Sequence, residues 1–192
     1  MNTDDQKIFK PHNNKWNACL QNYMGFSQLA GYYLESANAL IEGTIENRSK
    51  LDVYVYSAVF LYRHSVELLL KELIWMSNYL LCRGKTFPHH HKLMDLWSCL
   101  KSNAKSLLES EFPLNKEEVR YVEATLGEIM KHDPESDAFR YPLNKKMQRP
   151  HSDINYVNVR SLYERFNQIH EEYFGRLLYM IGCLYDAQSE EN

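Results

Sequence analysis

Glycine and proline are scarce in this chain of 192 residues, which has seven glycines and six prolines. A β protein rich in turns needs more of both, whereas hydrophobic residues make up 44% of this chain and aromatic residues 13%. The same balance argues against disorder. No break in composition marks a second domain, so we expect one packed domain over residues 1–192.

Strong charge of one sign and long apolar runs are also missing. The formal net charge is -3, which argues against a protein that coats nucleic acid through its overall field, although local basic patches remain open. The first residues lack the basic and then apolar pattern of a signal peptide, and no apolar run approaches the roughly 20 residues of a membrane helix. We therefore expect a cytoplasmic protein without a membrane partner.

The sequence offers little for metal or cofactor binding. Its four cysteines are scattered with no Cys-x-x-Cys pair, which favours buried, reduced thiols over a metal cluster or disulfides. The triplet His89–His91 lacks the spacing that helical metal sites use, and adjacent side chains diverge. We expect no metal and no cofactor.

Apolar residues recur at steps of three and four in five segments, which predicts an all-α bundle of about five helices with two long central helices. The predicted helices cover residues 14–46, 52–82, 93–108, 116–131 and 158–187.

Capping residues and loops complete this prediction. Asp52 is a plausible N-cap for the second helix, Gly84 follows its end, and Asn115 with Glu118 forms a capping-box pattern before the fourth helix. Residues 133–157 are rich in Pro, Asp, Asn and Lys, which predicts a long loop before the last helix. Residues 1–13 read as a polar leader and 188–192 as a tail.

The second helix carries four ionisable side chains on one arc of an otherwise apolar circumference. Arg63, Glu67, Lys71 and His64 lie at about 0°, 40°, 80° and 100° around the helix axis. One interpretation is an i,i+4 ion-pair ladder or a solvated stripe. The other is a cleft in which Arg63 and Lys71 bind an anion such as phosphate, Glu67 orients Arg63, and His64 carries a proton.

Two further residues are candidates for the same cleft. His91 precedes the third helix after a short connector, which favours its folding back toward the charged arc. In the long loop, Phe139 and Tyr141 are apolar anchors that would aim Arg140 into the cleft, although a solvated loop is the simpler interpretation. The predicted ligand-binding residues are Arg63, His64, Glu67, Lys71, His91 and Arg140.

The run Tyr56–Lys71 (YSAVFLYRHSVELLLK), the segment His91–Trp97 (HKLMDLW) and the segment Phe139–Pro142 (FRYP) resemble the HEPN superfamily of helical bundles. The resemblance covers about residues 15–110 and then the FRYP segment. It implies a homodimer and a link to RNA or nucleotides.

Active members of that superfamily are metal-independent ribonucleases in which an Arg is followed, after four to six residues, by a His at a dimer interface. Arg165 and His170 have this spacing. The resemblance implies that His170 acts as general acid or base toward a ribose 2′-hydroxyl while Arg165 stabilises charge on phosphorus. The residues alone equally allow a His at the core edge and a solvated Arg.

Two functions therefore stay open. The first is a HEPN-like protein that binds RNA or a nucleotide, with ribonuclease activity as its catalytic form, in a defence or toxin–antitoxin setting. The alternative is a non-catalytic, dimeric interaction module with a protein partner, in which the charged arc is a structural ion-pair network.

Overall fold

The computed structural model describes residues 18, 20, 24–44, 47–108, 112–144, 146–150 and 154–190. All regular structure in these residues is helical, which confirms the predicted all-α fold. The helices are α1 Phe26–Glu42, α2 Leu51–Leu80, α3 Leu93–Leu107, α4 Lys116–His132, α5 Val159–Asn167 and α6 Gly175–Glu190.

The last part of the chain forms one long helical rod. A π-helical turn, Gln168–Phe174, joins α5 to α6 without a break. The structure confirms two long helices, α2 and this rod, although the sequence analysis gave the greatest length to residues 14–46. Of these, α2 is central, since it packs against α1, α3, α5 and α6, and most of its circumference is buried.

The first helix is shorter than predicted. It begins at Phe26, because the backbone at Gly25 is extended and the Phe26 N–H donates to the Glu72 carboxylate of α2 at 2.8 Å. Residues 18, 20 and 24 are not helical, and the helix ends at Glu42 instead of residue 46. Residues 14–17 and the predicted leader, 1–13, lie outside the described residues.

The predicted N-cap of α2 is wrong. A short 3₁₀ turn, Arg48–Lys50, leads directly into Leu51, so Asp52 lies in the first turn of the helix, where its charge favours the helix dipole. The helix ends at Leu80. Cys82 and Gly84 then adopt left-handed backbone conformations, with φ of 56° and 83°, and turn the chain toward α3.

The starts of the later helices agree with the prediction to within one residue, since they lie at Leu93, Lys116 and Val159. The capping box of α4 is confirmed: the Asn115 side chain accepts from the Glu118 backbone N–H, and the Glu118 carboxylate accepts from the Asn115 N–H. The final helix continues to Glu190, so most of the predicted tail is helical.

The long loop before the last rod is confirmed, because no helix occurs among its described residues between His132 and Val159. Its first part is fixed to the bundle. Asp133 accepts a hydrogen bond from the Ala138 N–H at 2.9 Å, and both residues are buried together with Ser136. Among the described helices, none is both long and apolar enough to cross a membrane.

The expectation of buried thiols is wrong for two cysteines. Cys82 and Cys183 are exposed, because one follows the end of α2 at the surface and the other lies on the outer face of α6. Cys99 is partly buried, and burial raises the pKa of its thiol. Cys19 lies outside the described residues.

Candidate functional site

Arg63 of α2 is fully buried, and each nitrogen of its guanidinium faces an oxygen of the protein. Nη1 pairs with Glu67 Oε2 at 3.0 Å, Nε lies 3.1 Å from Asp133 Oδ2, and Nη2 donates to the backbone carbonyl of His91 at 2.6 Å. One side chain thus ties α2 to the connector before α3 and to the residue that follows α4. Nε and Asp133 Oδ2 lie within ion-pair distance without the alignment of a hydrogen bond, and burial keeps the whole guanidinium from a ligand.

Glu67 carries the other half of the same network. Its Oε1 accepts from Lys71 Nζ at 2.8 Å and lies 2.7 Å from His91 Nδ1. Burial by itself raises the pKa of this carboxyl, but the hydrogen bonds from Lys71 and His91 bring its pKa below the ordinary value. We call Arg63, Glu67, Lys71, His91 and Asp133 the buried network.

Formal charge inside the buried network is balanced, because Arg63 and Lys71 face Glu67 and Asp133. The His91 side chain is the part of the buried network that reaches solvent, with 55% of its surface exposed. A buried charge is tolerated when it is paired and hydrogen-bonded. Every charge here is paired, and each pair except Arg63 Nε with Asp133 Oδ2 is also hydrogen-bonded. The geometry is that of an ion-pair ladder extended by one residue from the loop.

Asp133 is the member of this network that the sequence reading missed. Its signal in the sequence is its position directly after α4, since the carbonyl end of a helix disfavours a carboxylate and such a residue needs a nearby cation. The sequence does not reveal that the cation is Arg63, seventy residues earlier in the chain.

His64 does not join the buried network, although it is adjacent to Arg63 in sequence. Its ring stacks on Phe60 with centroids 5.6 Å apart and planes 9° from parallel, and it meets Tyr33 of α1 edge to face at 4.7 Å. Burial lowers the pKa of His64 and thereby favours the neutral ring. The residue packs α1 against α2.

Arg140 lies at the surface. It contacts Phe60, the same ring on which His64 stacks. Its Nε donates to the Ser136 carbonyl at 2.5 Å, and its guanidinium lies 5.5 Å from the Phe60 ring centre and 5.4 Å from that of Tyr141. These contacts orient the side chain. Nη1 and Nη2 have no hydrogen-bond partner among the described residues.

Arg140 also lines an open depression with a volume of about 510 Å³, which we call the arginine depression. Its lining residues are Tyr56, Ala138, Phe139, Arg140, Tyr141, Pro142, Arg149, Pro150 and Ile154. Tyr56 and Tyr141 are 52% and 56% exposed. Among these described lining residues, Arg140 and Arg149 carry positive charge and none is a carboxylate.

Arg165 and His170 lie in different surroundings. The Arg165 guanidinium turns toward α4, where Nε donates to Thr125 Oγ1 at 3.0 Å and Nη1 pairs with Glu128. His170 lies in the π-helical turn, where Nε2 is buried with no partner among the described residues and burial lowers its pKa to about 4. No hydrogen bond or ion pair among the described residues joins the two side chains.

The described residues contain no group of three or more His, Cys, Asp or Glu side chains arranged to hold a metal ion.

No family model, characterised protein or solved structure matches the chain. The HEPN resemblance therefore remains a prediction from the sequence.

Proposed function

We propose that this chain binds RNA or a nucleotide at the arginine depression. The observation that carries the proposal is the oriented Arg140 guanidinium, whose Nη1 and Nη2 face no partner among the described residues and which shares the depression with Arg149. A planar guanidinium with two unused donors matches the paired oxygens of a phosphate.

The aromatic residues of the depression suit the rest of such a ligand. Tyr56 and Tyr141 are each about half exposed, and exposed aromatic rings beside cationic side chains are the usual surface on which unpaired bases stack. The chain as a whole is negative, so the attraction is local and involves few phosphates.

The buried network holds the backbone of the loop that carries Arg140. Asp133 pairs with Arg63 through one oxygen and accepts from the Ala138 N–H through the other. Arg140 follows Ala138 by two residues, and its own backbone N–H donates to the Asp137 carbonyl at 3.1 Å. We assign the network the role of positioning the loop that presents Arg140.

The test is fluorescence anisotropy with a short, labelled single-stranded RNA over a range of salt concentrations. We expect Arg140→Gln to weaken binding about tenfold and to reduce the slope of log affinity against log salt by about 0.7, the value for one phosphate contact on a single strand. Arg160→Gln is the matched control, because Arg160 is 87% exposed on α5 and outside the depression. Equal effects of the two variants, or no binding by the wild type, would overturn the proposal.

A non-catalytic, dimeric interaction module is the second candidate function. Two observations favour it: the charges of the buried network pair with one another, and Tyr179, Met180 and Leu184 form an exposed apolar arc on α6. Sedimentation equilibrium tests the dimer, with Tyr179→Ser expected to shift the mass toward the monomer. A monomeric wild type would remove this candidate.

A further inference from the structure

A second cavity, of about 170 Å³, lies between α4, α5 and the loop residues 154–158. Its walls are largely apolar and include Val59 and Phe166, which are both buried, and the ring of Phe139. Its volume is below the roughly 300 Å³ at which cavities for drug-sized ligands begin, so it suits a single ring system. We call it the α4–α5 cavity.

Polar side chains in the lining of this cavity include an oriented ion pair. Arg165 Nη1 and Glu128 Oε2 bind each other, and the Tyr121 hydroxyl also hydrogen-bonds to the arginine side chain. Thr125 holds Nε of the arginine at 3.0 Å, and the Tyr121 ring centre lies 5.8 Å from the guanidinium carbon. Because the guanidinium has five N–H donors and the carboxylate has two oxygens, the pair still offers an N–H donor beside the Glu128 Oε1 acceptor.

The chemistry of this pair selects the ligand. A guanidinium and a carboxylate that neutralise each other favour an uncharged partner, and a free donor beside a free acceptor matches a ring carbonyl next to a ring N–H. Such a group is a lactam, and among the nucleobases guanine, hypoxanthine and uracil carry it, whereas adenine and cytosine do not.

We infer that the α4–α5 cavity binds a lactam nucleobase, with Arg165 donating to the ring carbonyl and Glu128 accepting from the ring N–H. The cavity and the arginine depression share Phe139 and Ile154 in their linings, so the two sites adjoin. The binding of the base is independent of the proposed function. The inference rests on the proposed function only for the phosphate of a nucleotide, which the arginine depression would hold. It assigns the base selectivity of the site to Arg165 and Glu128.

Isothermal titration calorimetry of the full chain with four nucleosides tests the inference without any phosphate contact. We expect guanosine or uridine to bind at least about tenfold more tightly than adenosine and cytidine, because a mismatched edge leaves charged groups unpaired. Equal affinity for all four nucleosides, or no binding of any, overturns the inference.

Matched variants separate recognition from folding. We expect Arg165→Gln and Glu128→Gln each to reduce the preference for a lactam about tenfold. Arg160→Gln and Glu164→Gln, which alter an exposed i,i+4 pair on the same helix, should leave the preference unchanged. Unfolding curves measured alongside show whether each variant is folded, and a folded Glu128→Gln protein that keeps full selectivity contradicts the inference.

A comparison of nucleosides with their 5′-monophosphates distinguishes this inference from the proposed function. If the lactam preference is present but the phosphate adds no affinity and Arg140→Gln has no effect, the inference holds and the phosphate site fails. If the phosphate adds affinity equally for all four bases, the proposed function holds and the inference fails.

Discussion

Replacing Glu67 with glutamine is the sharpest test of the buried network, because the substitution keeps the shape of the side chain while it removes the charge and turns one acceptor oxygen into an N–H donor. Glu67 is 1% exposed and holds Arg63 at 3.0 Å, Lys71 at 2.8 Å and His91 at 2.7 Å. The variant leaves two cations in the buried network, Arg63 and Lys71, and only one carboxylate, Asp133, which pairs with Arg63. We therefore expect the folded state to be strongly destabilised.

The magnitude follows from the cost of an uncompensated buried charge. Removing one partner of a buried ion pair typically costs about 3–5 kcal/mol. Arg63 keeps Asp133, and the glutamine oxygen still accepts a hydrogen bond, so we expect the lower end of that range, about 3 kcal/mol of the free energy of unfolding. That is a large share of the roughly 5–15 kcal/mol that stabilises an ordinary domain.

Urea denaturation at pH 7, followed by circular dichroism, measures this loss, with Glu164→Gln as the matched exposed control. The pKa of Glu67 is depressed in the folded protein, so the stability it contributes is present above its ordinary pKa of 4.5 and is lost as the pH falls through the lower folded value. The gap between wild type and Glu67→Gln should therefore narrow toward pH 3. A loss below about 1 kcal/mol at pH 7, or a gap independent of pH, would refute the structural role of the network.

Three further predictions concern other parts of the chain. Because burial lowers the pKa of His170 from 6.5 to about 4, wild-type stability should fall by about 3 kcal/mol as the pH drops through that window. His170→Leu should remove this dependence in urea titrations, and an unchanged slope would contradict the burial. Asn115→Ala should cost about 1 kcal/mol in the same assay, because it breaks the capping box with Glu118, and no loss would show that α4 does not depend on its cap. RNA incubated with the wild type in EDTA should stay intact, because the buried Nε2 of His170 does not reach a ribose 2′-hydroxyl; cleavage that His170→Ala abolishes would instead support the ribonuclease prediction.

Much of the fold could be predicted because helices are local structures. Steps of three and four place the helices, and the Asn115 and Glu118 pair marks the start of α4 before any packing is known. The pairing of Glu67 with Arg63 and Lys71 also follows from i,i+4 spacing on one helix.

Other features depend on partners far along the chain. The start of α1 is set by the Glu72 carboxylate, which receives the Phe26 N–H across 46 residues. The π-helical turn at Gln168–Phe174 shifts the angular phase of the last rod, so a straight-helix projection misplaces His170 relative to Arg165.

The candidate site shows the same division. The sequence by itself determined that the charges of α2 lie on one arc and that Arg140 follows an aromatic anchor in a long loop. Only the tertiary structure decided that Asp133 completes the coordination of Arg63, that His64 packs between Phe60 and Tyr33, and that Arg140 opens onto a depression with Arg149. The physical reason is that helical periodicity specifies which face of a helix is buried, whereas the group that meets that face comes from a distant segment whose approach the local pattern does not encode.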